Sequence, residues 1–247
     1  MKPVVDHFDE ERRNLSEMVR SLKAYLVDAK ELKKGPMALT TKERGGERLS
    51  VDVIPEQPGS IPRLLIEDIR ADTMNCQRCP LWSARRTIVF GEGHVDADLL
   101  FVGEGPGEEE DRQGKPFVGR AGQLLTKIIA AMGLTREDVY IANIVKCRPP
   151  GNRNPKPEEA DACTPYLLMQ IEAIRPRVIC ALGSVAARYF LKSESPVSIL
   201  RGRFHEFGGI PLMVTYHPAY LLRNPGAKKQ VWEDVQQIVK FLADDRR

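Results

Sequence analysis

The residues best suited to chemistry follow a short apolar segment, residues 99–102. Gly103, Gly105 and Gly107 come next, and Glu104 lies among them. Glycine allows the backbone to approach a ligand closely. A carboxylate at a strand end can activate water or stabilise positive charge. In open α/β sheets ligands bind outside the carboxyl ends of the strands, so we expect a site here.

The same segment excludes one common nucleotide site. Alternating glycines after a strand can indicate dinucleotide binding, but that motif runs directly into a helix. Here Pro106 interrupts the turn, and the acidic run at residues 108–111 would repel a pyrophosphate. Clustered charge usually marks a solvated loop, which is our interpretation of Glu108 and Glu109.

Two further polar side chains follow predicted strands. Asn143 ends one apolar segment, and His217 follows another. Either residue alone is more often structural. Because parallel strands present their carboxyl ends at one rim, we expect both to lie near Glu104 and the aromatic Phe117.

Five cysteines suggest a metal centre more than disulfides. Cys76 and Cys79 have CxxC spacing, and Cys147 and Cys163 are the natural second pair. Four thiolates can hold zinc or an iron–sulfur cluster, and the spacing alone does not distinguish them. The irregular, proline-rich segment between Cys147 and Cys163 favours a cluster over a zinc ribbon. Cys180 lies in a buried strand pattern and is predicted to be a core residue.

Strands and helices alternate through the second part of the chain. Strands are predicted at residues 99–102, 139–145, 178–182 and 212–215, and helices at 121–132, 157–174, 184–191 and 228–242. A short helix is also expected near residues 64–72. This alternation predicts an α/β fold, with a four-stranded parallel sheet and helices on both faces.

The first part of the chain has a different character. Residues 1–34 predict an amphipathic helix, beginning at about Asp6, which either packs on the main domain or binds a partner or a second copy. Residues 35–62 predict a linker, and the compact domain is expected at residues 63–247. The net charge is only +3, so any nucleic-acid contact requires a local basic surface. Without an apolar span or signal peptide, no membrane association is expected and a cytoplasmic location is the default.

Several motifs together resemble the family 4 uracil-DNA glycosylases, the iron–sulfur branch of that superfamily. They are the four cysteines and, in chain order, GEGPGEEED, GKPFVGRAGQLL, IANIVKCRPP, LGSVAA and HPAYLLRNP, all between Cys76 and Leu242. The resemblance implies a three-layer α/β/α sandwich. It also implies a [4Fe-4S] cluster held by Cys76, Cys79, Cys147 and Cys163, with uracil-containing DNA, double- or single-stranded, as the partner.

The resemblance also implies roles for the strand-end residues. Phe117 matches the aromatic on which a flipped uracil stacks, and Asn143 the amide that reads the base edge. His217 matches the donor to uracil O2, where negative charge develops as the glycosidic bond breaks. Glu104, with Gly103 and Gly105 in the turn, matches the motif beside the sugar and is our candidate for water activation. Glu110 matches a position near the base's C5 edge, where bulk or charge disfavours thymine.

Contacts to DNA are implied in the same way. Leu221 matches the position of a wedge that fills the vacated base stack. Four arginines are placed to meet phosphates: Arg120, Arg148, Arg153 and Arg223. In the best-known branch of the superfamily, aspartate stands where this chain has Gly105, and tyrosine where it has Gly107.

Two other functions compete with base excision. A non-catalytic protein could bind uracil-containing or damaged DNA without turnover. A related branch traps uracil covalently through a histidine in an inserted loop, but no histidine occurs between Cys147 and Cys163. A redox carrier would use the cysteines, yet it would explain neither Asn143 nor the segment around His217.

Overall fold

The computed structural model describes residues 66–244. The predicted amphipathic helix at residues 1–34, the predicted linker at 35–62 and the first residues of the predicted domain lie outside this part. None of the helices in the described range combines the length and the apolar composition that a membrane crossing requires.

Six strands form one sheet. In chain order they are β1 (Glu92–Gly93), β2 (Leu99–Gly103), β3 (Tyr140–Asn143), β4 (Val178–Leu182), β5 (Phe204–Phe207) and β6 (Ile210–Thr215). Their spatial order is β1-β3-β2-β4-β6-β5. The four central strands pair in parallel, as predicted, and β1 and β5 add antiparallel edges.

The two edge strands were missed by the sequence prediction. β1 has only two residues, and β5 alternates polar and aromatic residues without an apolar run. Their strand geometry comes from pairing with β3 and β6, which are already part of the sheet. The prediction of four strands was therefore correct for the parallel core and incomplete at both edges.

Helices cover both faces of the sheet. They are α1 (Ile66–Met74), α2 (Glu108–Gln113), α3 (Arg120–Ala131), α4 (Pro157–Ile174), α5 (Ser184–Leu191), α6 (Val197–Leu200), α7 (Pro218–Arg223) and α8 (Lys228–Asp244). Short 3-10 turns occur at Pro80–Ser83, Pro150–Asn152 and Pro225–Ala227. The bounds of α4 and α5 agree with the prediction to the residue.

The acidic run forms a helix, which corrects its interpretation as a solvated loop. Residues 108–111 make up the first turn of α2. Carboxylates are favoured there because they face the positive end of the helix dipole. Gly114 ends the helix in the left-handed conformation, with φ of 71°, a conformation that glycine adopts without strain.

The apolar core lies between the sheet, α3 and α8. Leu99, Phe101 and Cys180 line one face of the central strands, and Leu125 and Ile238 pack against them from the two helices. Cys180 is fully buried in this cluster. Its prediction as a core residue is confirmed.

Candidate active site and cysteine pocket

The ends of β2 and β3 bring three of the predicted residues together. Gly103 pairs with Asn143 in the parallel ladder. A methyl group placed on Gly103 would come within 2.5 Å of both the Asn143 Oδ1 atom and the Phe117 ring. Only glycine therefore fits at this position, and its absent side chain allows the amide and the aromatic ring to approach each other.

Asn143 has a buried polar atom without a partner. Its side chain is only 1% exposed, and Oδ1 accepts no hydrogen bond. Buried polar atoms are nearly always paired, because leaving one unpaired costs about 1–3 kcal/mol. An unpaired acceptor beside an aromatic face is what a site for a planar N–H donor requires.

Phe117 is held by a loop whose conformation is fixed from several sides. Its φ is 53°, in the left-handed region that bulky residues rarely adopt. Arg136 donates hydrogen bonds to the carbonyl oxygens of Pro116 and Phe117, at 2.7 and 3.1 Å. Gly122 lies against the Phe117 backbone so closely that a side chain there would clash. The strained conformation thus belongs to a well-supported aromatic platform.

Glu110 supports the same loop, which sequence reasoning did not predict. Its Oε1 atom accepts hydrogen bonds from the backbone N–H groups of Val118 and Gly119, both at 2.9 Å. Charge-assisted bonds of this kind are among the stronger ones in proteins. Glu110 therefore fixes the turn that follows Phe117.

His217 stands beside Phe117, with 5.5 Å between the ring centroids. The backbone N–H of Ala219 donates to Nδ1 at 3.1 Å, which places the ring proton on Nε2. Burial lowers the pKa of His217 to about 4, although the nearby Glu110 carboxylate opposes the shift. At neutral pH the ring is uncharged and offers its Nε2–H as a donor.

Gly183 makes room for this histidine. Its φ is 89°, and a Cβ atom on it would lie 2.9 Å from the His217 Cβ atom. β4 ends just before Gly183, and β6 ends just before Tyr216 and His217. The rim of the sheet therefore positions His217 through the close approach of two neighbouring strand ends.

Glu104 lies on the same rim and is half-buried. Burial raises the pKa of its carboxyl group above the ordinary value. Its backbone carbonyl accepts a hydrogen bond from Val145 at 3.1 Å. A Cβ atom on Gly105 would come within 2.7 Å of the Val145 side chain, so the turn after β2 packs closely against the segment after β3.

The four predicted ligands lie together. Cys76, Cys79, Cys147 and Cys163 line one pocket, in company with Arg85, Lys146, Trp82 and Tyr166. Arg85 donates a hydrogen bond to the Cys147 sulfur at 3.4 Å, and the Lys146 backbone N–H donates to the Cys163 sulfur at 3.2 Å. The donor set and its N–H partners fit a thiolate-bound group.

Burial favours the neutral thiol form of three of the four cysteines. Burial raises the pKa of Cys79 and Cys147, and that of Cys163 to about 12. In residues 66–244, no three cysteine, histidine or carboxylate side chains are arranged to hold a single metal ion.

The predicted arginines differ in their availability. Arg120 and Arg223 are exposed. Arg153 instead makes a bidentate ion pair with Glu159, at 2.7 and 2.8 Å, at the start of α4. Arg148 contacts Asn152 and Glu108. The Arg153 guanidinium is therefore already engaged at a helix terminus, and its contact to phosphate stays a prediction.

The predicted wedge, Leu221, is not exposed in this structure. It is 1% exposed and packs in the core, so it is not presented to a duplex. Its neighbours Tyr220 and Leu222 are 39% and 40% exposed. Tyr220 also stacks on Tyr216, with centroids 4.8 Å apart. Sequence alignment to a motif could not distinguish these neighbours, since the orientation of α7 decides which side chain faces outward.

The fold is an α/β sheet protein, and its rim brings together an unpaired amide oxygen, an aromatic ring and an imidazole. The profile of the Uracil DNA glycosylase superfamily matches residues 90–236, and the chain belongs to that superfamily.

Individual relatives point the same way. The chain is 48% identical over 183 residues to the type-4 uracil-DNA glycosylase of Thermotoga maritima, covering 72% of this chain and 95% of that protein. It is 46% identical to the type-4 enzyme of Saccharolobus solfataricus, covering 71% and 86%. A type-5 uracil-DNA glycosylase of Pyrobaculum aerophilum is 33% identical, covering 74% and 95%.

Proposed function

We propose that this protein is a uracil-DNA glycosylase that hydrolyses the N-glycosidic bond of uracil in DNA and leaves an abasic site, the first step of base excision repair. The observation that carries the proposal is the unpaired Asn143 Oδ1 atom beside the Phe117 ring. Base-modifying enzymes of this kind take the nucleotide out of the helix and read its edge in a fitted pocket.

The pocket chemistry suits uracil and disfavours cytosine. The side-chain oxygen of Asn143, Oδ1, can accept a hydrogen bond from the uracil N3–H, while its side-chain amide N–H donates to O4. Cytosine presents the opposite pattern, an N3 acceptor and an N4 amino donor, so one pair would be lost and buried groups left unpaired. Phe117 supplies the stacking surface.

Bond cleavage places charge where His217 is aimed. As the N1–C1′ bond breaks, its electron pair moves onto the base and much of the charge falls on O2. A neutral imidazole that donates from Nε2 stabilises that oxygen without first losing a proton. One such preorganised donor typically contributes about 10²- to 10³-fold in rate.

The sugar requires a different group. Its C1′ becomes oxocarbenium-like, and a carboxylate nearby stabilises it or takes a proton from the water that adds there. We assign that role to Glu104. Its raised pKa is that of a carboxylate partly withdrawn from water, where its charge acts more strongly.

DNA would bind across the rim. Arg120 and Arg223 are the candidates for phosphate contacts. The exposed Tyr220 and Leu222 replace Leu221 as candidates for the side chain that fills the vacated stack.

The cysteine pocket would hold a [4Fe-4S] cluster, with Cys76, Cys79, Cys147 and Cys163 as ligands. The four cysteines line one pocket, and N–H groups of Arg85 and Lys146 donate to two of the sulfurs, which supports a thiolate-bound group. Such a cluster would join the segment of Cys76 and Cys79 to β3 and α4. We expect purified protein to be brown. Replacing any of the four with alanine should bleach the colour, and Cys180→Ser should leave it intact.

One assay decides the function. The protein is incubated with an oligonucleotide that contains one uracil, and strand breaks at that position are counted after alkali treatment. A glycosylase gives alkali-labile sites with multiple turnover. Retention of the oligonucleotide without such sites would overturn the proposal in favour of a non-catalytic binder.

A further inference from the structure

A buried lysine is hydrogen-bonded to the backbone of Asn143, the proposed base-reading residue. Lys146 is 1% exposed, and no carboxylate in residues 66–244 lies within ion-pair distance of it. A charged side chain is rarely withdrawn from water without an opposite charge, because the desolvation cost is several kcal/mol. Its burial therefore requires an explanation from its surroundings.

Every polar group of Lys146 is engaged. The ammonium donates hydrogen bonds to the backbone carbonyl oxygen of Asn143 at 3.0 Å and to Gln170 Oε1 at 2.6 Å. Its backbone carbonyl accepts from the Val89 N–H at 2.8 Å. Its backbone N–H donates to the Cys163 sulfur. The residue connects the end of β3 to the cysteine pocket through its own bonds.

Gln170 extends this hydrogen-bond network to the backbone of Phe90. Its Nε2 atom donates to the Phe90 carbonyl oxygen at 2.9 Å, so Gln170 is held in the orientation that accepts from the ammonium. Gln170 and Cys163 both lie on α4. The helix that supplies a thiolate therefore also supplies the acceptor that fixes Lys146.

The cysteine pocket would supply the opposite charge once it holds a thiolate-bound group. Lys146 lines that pocket together with Cys147 and Cys163. Thiolates that ligate a metal centre are negatively charged, and their field extends to a buried ammonium with little screening. Such a group would compensate the charge of Lys146, and the Asn143 backbone carbonyl receives the hydrogen bond.

We propose that Lys146 is a positioning residue that holds Asn143 in its base-reading orientation from the side of the cysteine pocket. The inference rests on the proposed function, since it takes Asn143 as the residue that reads uracil. The hydrogen bond satisfies the backbone carbonyl of Asn143, the last residue of β3. Without it, the Asn143 backbone loses one of the contacts that fix the position of its side-chain amide. Hydrogen bonds weaken steeply with misalignment, so uracil recognition would weaken.

The test is a double-mutant cycle on binding. Lys146→Met keeps the approximate length and removes the charge and the donors. It is measured alone and together with Asn143→Ala. The probe is an oligonucleotide with 2′-fluoro-2′-deoxyuridine, which resists cleavage because fluorine destabilises the oxocarbenium-like state. The exposed Lys240→Met serves as the control for loss of a lysine.

We expect Lys146→Met to weaken binding about tenfold or more, as for loss of a charged hydrogen-bond donor. In the Asn143→Ala background the same change should weaken binding less than about twofold, because the residue through which it acts is gone. Single-turnover excision at saturating enzyme should fall much less than affinity. Equal effects of Lys146→Met in both backgrounds would overturn the inference.

A second variant covers the case in which Lys146→Met does not fold. Lys146→Arg keeps the charge but directs its donors differently, and it enters the same cycle with the same criterion. Failure of the proposed function looks different. The wild-type protein and Lys240→Met would then leave no abasic sites in a uracil oligonucleotide, whatever the outcome of the cycle.

Discussion

At the scale of single residues, the base-binding rim separates recognition from charge stabilisation. Asn143 is buried and its Oδ1 atom is unpaired, so it can hold the base edge before and during bond cleavage. His217 is neutral and presents one donor, because Ala219 occupies its Nδ1 atom. An interaction present in both states contributes to affinity, and one that strengthens in the transition state contributes to rate.

The first prediction follows from that separation. His217→Ala should slow single-turnover excision about 10²- to 10³-fold while changing the affinity for uracil-containing DNA little. Asn143→Asp should weaken both, because a carboxylate repels O4 and the departing uracil anion, and it should tolerate cytosine better. Rates and binding constants are measured on matched uracil and cytosine oligonucleotides. Loss of binding with an unchanged rate in His217→Ala would show that the roles are misassigned.

The second prediction concerns pH. Burial raises the pKa of Glu104, so its carboxylate is lost at a higher pH than that of an exposed glutamate, whereas His217 stays neutral down to about pH 4. As pH falls, the single-turnover rate should therefore decline first through Glu104. In Glu104→Gln the rate should be lower, and its remaining acid decline should move to lower pH. The exposed Glu137→Gln is the control. An unchanged acid decline in Glu104→Gln would exclude Glu104.

At the scale of elements, the end of β6, just before His217, is hydrogen-bonded to α8. Asp234 on α8 is fully buried and accepts from Arg201 at 2.7 and 3.0 Å. It also accepts from Thr215, the last residue of β6, at 2.5 Å. This network joins three elements one residue before Tyr216 and two before His217.

The third prediction tests this connection. Asp234→Ala should lower the free energy of unfolding by about 3–5 kcal/mol, since it removes the fully buried carboxylate that pairs with Arg201 and accepts from Thr215. Glu233→Ala, which removes an exposed contact to the same arginine at 3.6 Å, should cost about 0–1 kcal/mol. Urea denaturation of both variants gives the comparison. Equal losses would mean that the buried position of Asp234 contributes nothing special.

At the scale of the whole molecule, a small net charge must be reconciled with a polyanionic substrate. The charge is only +3, so DNA affinity has to come from the few basic side chains near the rim. Several others, including Arg153 and Arg201, are already engaged in ion pairs. The free arginines and the paired ones should therefore behave differently.

The fourth prediction is a difference in salt dependence. Arg120→Ala and Arg223→Ala should each weaken DNA binding and reduce the slope of log affinity against log salt by about 1, because each phosphate contact releases counterions. Arg153→Ala should leave the slope unchanged, since its guanidinium pairs with Glu159. Titrations at several salt concentrations measure the slopes. A reduced slope for Arg153→Ala would place DNA against the start of α4.

The fifth prediction concerns the extent of the catalytic unit. The matched part of the chain already covers 95% of the Thermotoga maritima relative while leaving more than a quarter of this chain unmatched. A fragment that begins at Arg63 should therefore keep uracil excision at close to the full-length rate. An inactive but folded fragment would mean that earlier residues belong to the catalytic machinery.

Local signals in the sequence determined much of this protein. Buried parallel strands are continuous apolar runs and amphipathic helices have a clear period, so the four central strands and the bounds of α4 and α5 were predictable. The CxxC pair was found from its spacing, and Asn143 and His217 were found because strand ends of a parallel sheet meet at one rim.

Only the tertiary structure decided the rest. β1 and β5 exist because neighbouring strands offer them partners, which no local pattern records. Lys146 donates to the Asn143 backbone, and Glu110 accepts from the backbone of Val118 and Gly119. Contacts to backbone atoms leave no signature in residue types. Leu221 packs inward while Leu222 faces outward because of how a six-residue helix is set on the core. Residue type and spacing identify which groups can do chemistry, but long-range packing decides which of them are free to do it.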